Sequence, residues 1–409
     1  MPTTTFHSLR TSTRPPRNRA ITLLAVGHAC VDVYQGAVAA LVPFFVAERA
    51  YTYATASGIV LAASLLSSVA QPLFGALTDR KPLPWLLPVS TLVGGLGIAL
   101  SGLGGSYTLT LLFVAVSGIG VAAYHPESAR IARVASRGGH TAMSWFSLGG
   151  NLGFAFSPAL VALVVGFGGL TMSPLLLLPA LAGSVLCLPA LRIVQRGQEA
   201  TSAAAHPTQT LTSAADDRRS FLRLTLGVIC RSVAFTGLST FISFHMVQST
   251  GWGPTAGTAA LVVLYLGGAV GTVLGGRLAE RRDRVTVVRR SYLLTVLAVA
   301  GVVLVPGPLG YLFVALASAG LYVPFSLQVT LAQDYLPHRV GTAGGITLGL
   351  TVSVGGIAAP AIGLLADATS LRTALIPLIA MPALSWLAFR GLPEPAAAIG
   401  PPSEEAESP

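Results

Sequence analysis

Four ionisable side chains that interrupt long apolar stretches are where this chain could do chemistry. His28 and Asp32 are four residues apart in the first apolar stretch, so they share one face of a helix, one turn apart. Glu127 follows a proline in a later stretch, and Arg231 lies inside another. Placing such a group in a membrane costs roughly 2.5–3.5 kcal/mol on insertion scales, so each one needs a reason.

Asp32 is predicted to lie near the middle of the bilayer. A helix rises about 1.5 Å per residue, and the apolar stretch begins near Ala20. A carboxylate at that depth can take up and release a proton or contact a solute, which is one interpretation. The other is a structural aspartate that is satisfied by His28 or by a neighbouring hydroxyl group.

Glu127 is the second candidate, because Pro126 removes a backbone donor and bends its helix. The bend would turn His125 and Glu127 toward a cavity, where the carboxylate could bind a proton or a solute. Arg130 stands three residues later, so an ion pair at helix spacing is the alternative.

The composition places these side chains in a membrane protein. Hydrophobic residues make up 53% of the chain and charged residues 10%, and the mean hydropathy is +0.71, whereas a soluble domain has roughly 25% charged residues. Twelve apolar runs have about the 20 residues that a spanning helix needs. They cover 20–47, 55–78, 84–105, 107–132, 138–166, 170–193, 221–247, 254–279, 286–305, 308–333, 340–366 and 371–390. Scattered glycine and proline, without the alternation of a barrel, favour helices.

Two motifs recur with one offset of 201 residues, which indicates two head-to-tail copies of one unit. Gly75-Ala76-Leu77-Thr78-Asp79-Arg80 ends one apolar run, and Gly276-Arg277-Leu278-Ala279-Glu280-Arg281 ends another (276 − 75 = 201). Thr141-Ala142 and Thr342-Ala343 each open a glycine-rich run (342 − 141 = 201). Repeated halves of this kind are typical of transporters whose two bundles move about a central site.

The same offset relates the candidate residues of the two halves. Gln328 takes the position of Glu127, so an acid and an amide could share a site between the halves (328 − 127 = 201). Asp32 maps to position 233, so Arg231 should lie at a similar depth. We expect Asp32 and Arg231 to attract each other or to share a ligand, and a purely structural pair that locks the halves together is the alternative.

The repeated loop signatures predict a gate rather than a reacting site. Each has a glycine and an acid–base pair: Gly75 with Asp79 and Arg80, and Gly276 with Glu280 and Arg281. The glycines would let helix ends approach closely, and the charged pairs would cross-link neighbouring helices in one conformation and break in the other. A solvated turn is the alternative.

Small and polar residues elsewhere suggest helix packing and a cavity wall. Gly149, Gly150 and Gly153 form one small-residue patch, and Gly355-Gly356 form another, as tight helix packing requires. Asn151 could bind a ligand or make an interhelical hydrogen bond. Further possible cavity residues, each with simple packing as the alternative, are Gln71, Tyr265 and Tyr322.

The charge distribution predicts the orientation. The net charge is +10, and all but three of the 25 basic residues fall in the tails and in alternate loops on one side. The three exceptions are Arg49, Arg372 and Arg231. This bias places both termini in the cytoplasm. Aromatic residues for stacking nucleic-acid bases are absent from these loops, which argues against a nucleic-acid partner.

The predicted organisation is a cytoplasmic tail at 1–19, a six-helix bundle at 20–194, a linker at 195–219, a second six-helix bundle at 220–392 and a disordered tail at 393–409. No nucleophile elbow, Walker loop, zinc spacing or dinucleotide fingerprint occurs in the sequence. We therefore expect no enzyme activity, no cofactor, no metal and no use of ATP.

Three motifs resemble a known family. They are His28-x-x-x-Asp32, Tyr124-His125-Pro126-Glu127-Ser128-Ala129-Arg130, and Thr141-Ala142-Met143-Ser144 followed by Gly149-Gly150-Asn151-Leu152-Gly153-Phe154. With the repeated loop signature and the layout of six plus six spans, the chain resembles the major facilitator superfamily over 20–392, and within it the fosmidomycin-resistance type of efflux protein. The resemblance implies proton-driven drug export through the inner membrane. It also implies coupling by Asp32 and Glu127, a central Arg231, and a gate at Asp79-Arg80.

The sequence thus predicts a monomeric, twelve-helix, all-α transporter that exports a small drug-like or anionic solute in exchange for protons. The first, fourth, seventh and tenth helices would line its cavity. The candidate proton-coupling or solute residues are His28, Asp32, His125, Glu127, Arg231 and Gln328. A proton symporter or facilitator that imports a small organic anion, and a membrane sensor or scaffold without transport, are the alternatives.

Overall fold

The computed structural model describes residues 17–136, 140–201, 215–339, 343, 346–347 and 351–395, and these residues form helices and connections without a strand. The helices are α1 (Arg17–Arg49), α2 (Tyr53–Arg80), α3 (Leu86–Ser101), α4 (Tyr107–Ser136), α5 (His140–Gly168), α6 (Leu178–Thr201), α7 (Arg218–Thr250), α8 (Pro254–Ala279), α9 (Arg284–Leu304), α10 (Gly310–Tyr335), α11 (Thr351–Ala368), α12 (Leu371–Leu375) and α13 (Pro377–Phe389). Two 3₁₀ segments, Leu170–Leu177 and Pro337–Arg339, precede α6 and follow α10.

The described helices confirm an all-α membrane protein. Ten helical stretches are long and apolar enough to cross a membrane, and Leu170–Gln195 and Leu371–Phe389 each count as one of them. Two shorter apolar helices, Leu86–Ser101 and Val354–Ala368, complete the set of twelve. Each of the twelve predicted apolar runs therefore overlaps one of these segments, although the run 340–366 starts outside the continuously described residues.

The polar ends of the two bundles differ from the predicted boundaries. Helix α1 begins at Arg17, inside the predicted tail, and α6 extends to Thr201, inside the predicted linker. Asp217 caps the start of α7, and hydrogen bonds from the hydroxyl of Ser220 and from its N–H, at 3.0 Å, hold the pKa of Asp217 below its usual range. The remaining parts of the predicted tails and linker, 1–16, 202–214 and 396–409, lie outside the described residues.

The prediction of disorder from residue 393 onward is wrong for its first residues. The Tyr335 hydroxyl donates to the Pro393 carbonyl at 2.5 Å, and Glu394 accepts hydrogen bonds from Arg284 Nε at 2.7 Å and from Val285 N–H at 2.9 Å. A carboxylate at a helix N-terminus satisfies amides that have no partner in the helix. This local cap holds the start of the tail, which its composition alone did not indicate.

Glycines set the closest helix approaches within each half. A side chain at Gly149 or Gly153 of α5 would overlap the carbonyl oxygen of Ala25 or Ala29 of α1, respectively. In the second half, a Cβ at Gly355 of α11 would lie 2.6 Å from Ser232 Oγ of α7. The predicted small-residue packing is therefore confirmed, and at Gly149, Gly153 and Gly355 it joins the first and fifth helices of each half.

The two halves are sealed together at one end. The side that carries the arginine-rich loops is called the basic side, and the opposite side the far side. Among the described residues, every hydrogen bond that joins the halves lies on the far side: Tyr53 and Ala54 of α2 donate to Asp367 of α11, and Gln248 of α7 donates to Tyr53. This conformation is therefore closed to the far side.

The α1–α5 contact gives a first prediction. Gly153→Val should lower the melting temperature of the purified protein, because overpacking a tight contact costs about 1–3 kcal/mol. Gly166→Val is the matched control on the same helix, since a Cβ at Gly166 meets no atom within 4 Å. The measurement is thermal unfolding followed by tryptophan fluorescence, and equal losses in both variants would contradict the assignment.

Candidate functional site

The carboxylate of Asp32 is held between two imidazole rings. Asp32 Oδ2 lies 3.2 Å from His28 Nε2 on the same helix, and Asp32 Oδ1 lies 3.1 Å from His125 Nε2 on α4. Asp32 is 4% exposed, and the three polar groups lie within 4.8 Å of one another. The predicted pairing of His28 with Asp32 is thus present, and the structure adds His125 to it.

The hydrogen bonds of the two rings define what the cluster can hold. His28 Nδ1 lies 3.0 Å from the Phe146 carbonyl, and His125 Nδ1 lies 2.8 Å from the Val121 carbonyl. A carbonyl only accepts, so both Nδ1 atoms must carry hydrogen, and a neutral ring then has only a lone pair at Nε2. Both Nε2 atoms face the Asp32 carboxylate, so each contact becomes attractive only with a proton in it. The cluster can therefore hold two protons.

Helix α5 covers the cluster from the side. The Phe146 ring stacks on the His28 ring with centroids 4.3 Å apart. A side chain at Gly150 would overlap Asp32 Oδ2 and would place its Cβ 2.8 Å from His28 Nε2. The glycine pair that predicted helix packing therefore also makes room for this cluster, a role that its sequence pattern does not reveal.

Arg231 does not pair with Asp32, so the predicted direct attraction is wrong. Arg231 is 6% exposed, its guanidinium lies over the Phe325 ring at 5.3 Å, and its Nε has no hydrogen-bond partner. Among the described residues, no carboxylate forms an ion pair with it. The physical reason is that both oxygens of Asp32 already face imidazoles of its own half.

Aromatic side chains occupy the region between the acid and the guanidinium. Tyr322 is close enough to both Asp32 and Arg231 to interact electrostatically with each. Its ring contacts Phe235 and Phe325, with centroids 5.0 and 5.7 Å apart. Tyr322 therefore lies near charged groups of both halves, and its place in a cavity wall stays a prediction.

Tyr265 also contacts both halves. Its ring lies 5.5 Å from Phe154 of α5 and 6.3 Å from Phe235 of α7. Sequence reasoning missed Phe154, Phe235 and Phe325, because a phenylalanine in an apolar run has no polar signal. Gln71 and Asn151 are half-buried, and neither makes a hydrogen bond or an ion pair among the described residues.

Glu127 and Gln328 are each bound within their own half. Glu127 is fully buried, accepts hydrogen bonds from Arg130 Nε at 2.8 Å and from Leu83 N–H at 3.1 Å, and so forms the ion pair foreseen as an alternative. Gln328 donates to the Tyr292 hydroxyl of α9. The expected site shared between these two residues is not formed, because Glu127 binds Arg130 and the connection before α3, whereas Gln328 turns toward α9.

The gate glycines do not make close contacts in this conformation. A Cβ at Gly276 would meet no atom within 4 Å, and one at Gly75 would lie 3.9 Å from Pro126 Cβ. The expected close approach at these glycines is therefore wrong for a conformation whose halves meet on the far side.

The predicted cross-links at the gate are not formed among the described residues. The exposed side chains of Arg80, Glu280 and Arg281 make no ion pair there, and the Asp79 side chain lies outside the described residues. The basic side instead carries an ion pair that the sequence did not indicate, between Arg284 and Asp334 at 2.6 Å.

The Glu127–Arg130 pair gives a second prediction. Glu127→Gln and Arg130→Gln should each destabilise the protein by about 1–3 kcal/mol, because each leaves a charged or polar group without its partner. The double variant should lose no more than the worse single variant, which a double-mutant cycle on unfolding free energies would measure. Additive losses would show that the pair contributes nothing as a unit.

Comparison with known protein families agrees with this architecture. The model of the Major Facilitator Superfamily matches residues 24–360. The chain is 29% identical over 377 residues to the fosmidomycin resistance protein of Escherichia coli strain K12, covering 88% of this chain and 90% of that protein. It is 30% identical over 382 residues to the uncharacterized MFS-type transporter YfnC of Bacillus subtilis strain 168, covering 90% of this chain and 91% of that protein.

Solved structures share the fold. A bacterial homolog of the human lysosomal transporter Spinster, in an inward-facing and occupied conformation, matches with a TM-score of 0.71 at 14% identity, over 93% of this chain and 97% of that one. A point mutant of the nucleoside transporter NupG matches with a TM-score of 0.71 at 13% identity, over 92% of this chain and 99% of that one.

Proposed function

Because the chain belongs to the major facilitator superfamily, we propose that this secondary transporter exports a small drug-like or anionic solute in exchange for protons. Family membership makes it a transporter of small solutes rather than an enzyme, as its sequence predicts. Export is favoured by its likeness to the E. coli protein named for fosmidomycin resistance. We place it in the cell membrane, and the arginine bias supports an orientation with both termini in the cytoplasm.

The proposal for proton coupling rests on the cluster of Asp32, His28 and His125. Its two carboxylate–imidazole contacts, at 3.2 and 3.1 Å, need protons to be attractive, and the group is buried inside a membrane span. Each proton that crosses the membrane gains about 2.3 kcal/mol per 100 mV, enough to drive a solute uphill. Loading and unloading this cluster from opposite sides is the proposed energy-coupling step.

The proposal for an anionic solute rests on Arg231. A buried guanidinium stays charged and is stabilised only by an anion or by hydrogen-bond acceptors. Arg231 has an unpartnered Nε and lies over an aromatic ring in the described structure. A carboxylate or phosphonate of the solute would satisfy it, with Tyr322 and Tyr265 as walls.

One observation favours a second candidate, which is proton symport of an organic anion. Two protons would give the cluster a net positive charge, and Tyr322 lies within electrostatic range of both the cluster and Arg231. A loaded cluster would then strengthen, rather than oppose, the binding of an anion near Arg231. Antiport requires instead that protonation of the cluster weakens solute binding at Arg231. The direction of the pH gradient that drives solute accumulation therefore separates the two candidates.

Asp32→Asn in proteoliposomes tests the coupling, with fosmidomycin as the first probe. Antiport predicts that fosmidomycin accumulates in the proteoliposomes against its gradient when their interior is acidic. Symport predicts this accumulation when the exterior is acidic. In Asp32→Asn, uphill accumulation should be lost in both cases while solute counterflow persists, because only the proton site is removed. Glu127→Gln is the control, since its ion pair supports structure, and uphill transport should persist. Uphill transport by Asp32→Asn would remove Asp32 from the coupling site.

Arg231→Gln tests the anion site. We expect solute affinity to fall about 10- to 100-fold, as the loss of hydrogen bonds to a charged group implies. The melting temperature without solute should not fall, because no described carboxylate pairs with the removed charge. Arg223→Gln is the control, since Arg223 is exposed and donates to the Gly391 carbonyl at 3.5 Å. Unchanged binding together with lower stability in Arg231→Gln would make the residue structural.

A further inference from the structure

Helices α2 and α11 form an antiparallel seam between the halves on the far side. A side chain at Gly356 would overlap Ser64 Oγ, and a Cβ at Gly363 would lie 2.8 Å from Ser57 Oγ. Tyr53, at the start of α2, meets Asp367 near the end of α11. The two residue numbers in each pair add up to 420 (64 and 356, 57 and 363, 53 and 367), so one register holds over the seam.

The far end of the seam is closed by a carboxylate on a helix N-terminus. Asp367 accepts hydrogen bonds from the backbone N–H of Tyr53 at 3.0 Å and of Ala54 at 2.9 Å. These are among the amides that a helix cannot satisfy internally, and the helix dipole adds to their attraction for an anion. Unlike an ordinary cap, this carboxylate comes from the other half of the protein.

Helix α7 of the C-terminal half also contacts the start of α2 at Tyr53. Gln248 Nε2 of α7 donates to the Tyr53 hydroxyl at 3.2 Å. The Tyr53 ring also packs on Phe241 and Phe244 of α7, with centroids 6.2 and 5.1 Å apart. The start of α2 is therefore held by both α7 and α11.

We propose that Asp367 is the latch that keeps the far-side gate closed. A transporter of this family exposes its central site to one side at a time, so opening toward the far side must separate α2 from α11. The helix-packing contacts at Ser57 and Ser64 have no hydrogen bond across them, whereas the Asp367 bonds must be exchanged for water when the gate opens. The latch rests on alternating access alone and requires neither proton coupling nor a particular solute.

The chain offers a matched control for this latch. Glu48, at the end of α1, accepts a hydrogen bond from the Leu170 N–H at 3.0 Å, at the start of a 3₁₀ segment. The chemistry is the same and the position is also on the far side, but both partners belong to the N-terminal half. Separating the halves leaves the Glu48 bond intact.

Accessibility of a cysteine inside the seam tests the latch. Ser57→Cys is introduced into a variant that retains Cys187 and has Cys30 and Cys230 replaced by serine. Ser57 and Cys187 are both fully buried, so each is labelled by a maleimide only after an opening event. Labelling rates are measured in nanodiscs without solute or pH gradient. We expect the cysteine at position 57 to be labelled about tenfold faster when Asp367→Ala is also present, which is equivalent to about 1.4 kcal/mol in the opening equilibrium. Glu48→Ala should leave that labelling rate unchanged.

Three outcomes decide the proposal. An equal Ser57→Cys rate with and without Asp367→Ala would overturn it. A parallel rise at Cys187 would also overturn it, because that pattern indicates general unfolding rather than gate opening. If Asp367→Ala does not yield folded protein, Gln248→Ala removes the neighbouring inter-half bond. It should raise the rate at Ser57→Cys alone by roughly threefold, in keeping with one ordinary hydrogen bond, and no rise would again refute the latch.

Discussion

The burial of one carboxylate in an apolar helix bundle is the constraint on which this site depends. Water cannot solvate Asp32 at 4% exposure, so neighbouring groups must satisfy its charge. The imidazole of His28 comes from the preceding turn of α1, and that of His125 comes from α4. Helix α5 can cover the cluster only because Gly150 has no side chain. The mutual positions of three helices are therefore tied to one ionisable group.

The second half presents the opposite charge without the same compensation. Arg231 is buried on the Phe325 ring, and no described carboxylate pairs with it. The two halves thus carry opposite buried charges, with Tyr322 in electrostatic range of both. In the proposed coupling, the two sites would influence each other through the interaction of these charges.

Small residues determine where helices approach, but they serve fixed and moving contacts alike. Gly149 and Gly153 join α1 to α5 within one half. Gly356 and Gly363 join α2 to α11 across the halves, where the contact must open. The moving contact differs by ending in a carboxylate on exposed backbone amides, a bond that water can replace at moderate cost.

The sequence by itself determined the class of protein, its helical architecture and the pairing of His28 with Asp32. These follow from local properties: apolar runs must lie in lipid, a spanning helix satisfies its own backbone, and residues four apart share a face. The tertiary structure decided that His125 joins Asp32, that Arg231 does not, that Glu127 also accepts a hydrogen bond from the Leu83 N–H, and that Asp367 crosses to α2. Such contacts depend on how each helix is rotated and tilted against its neighbours, and spacing along a single helix carries no information about that.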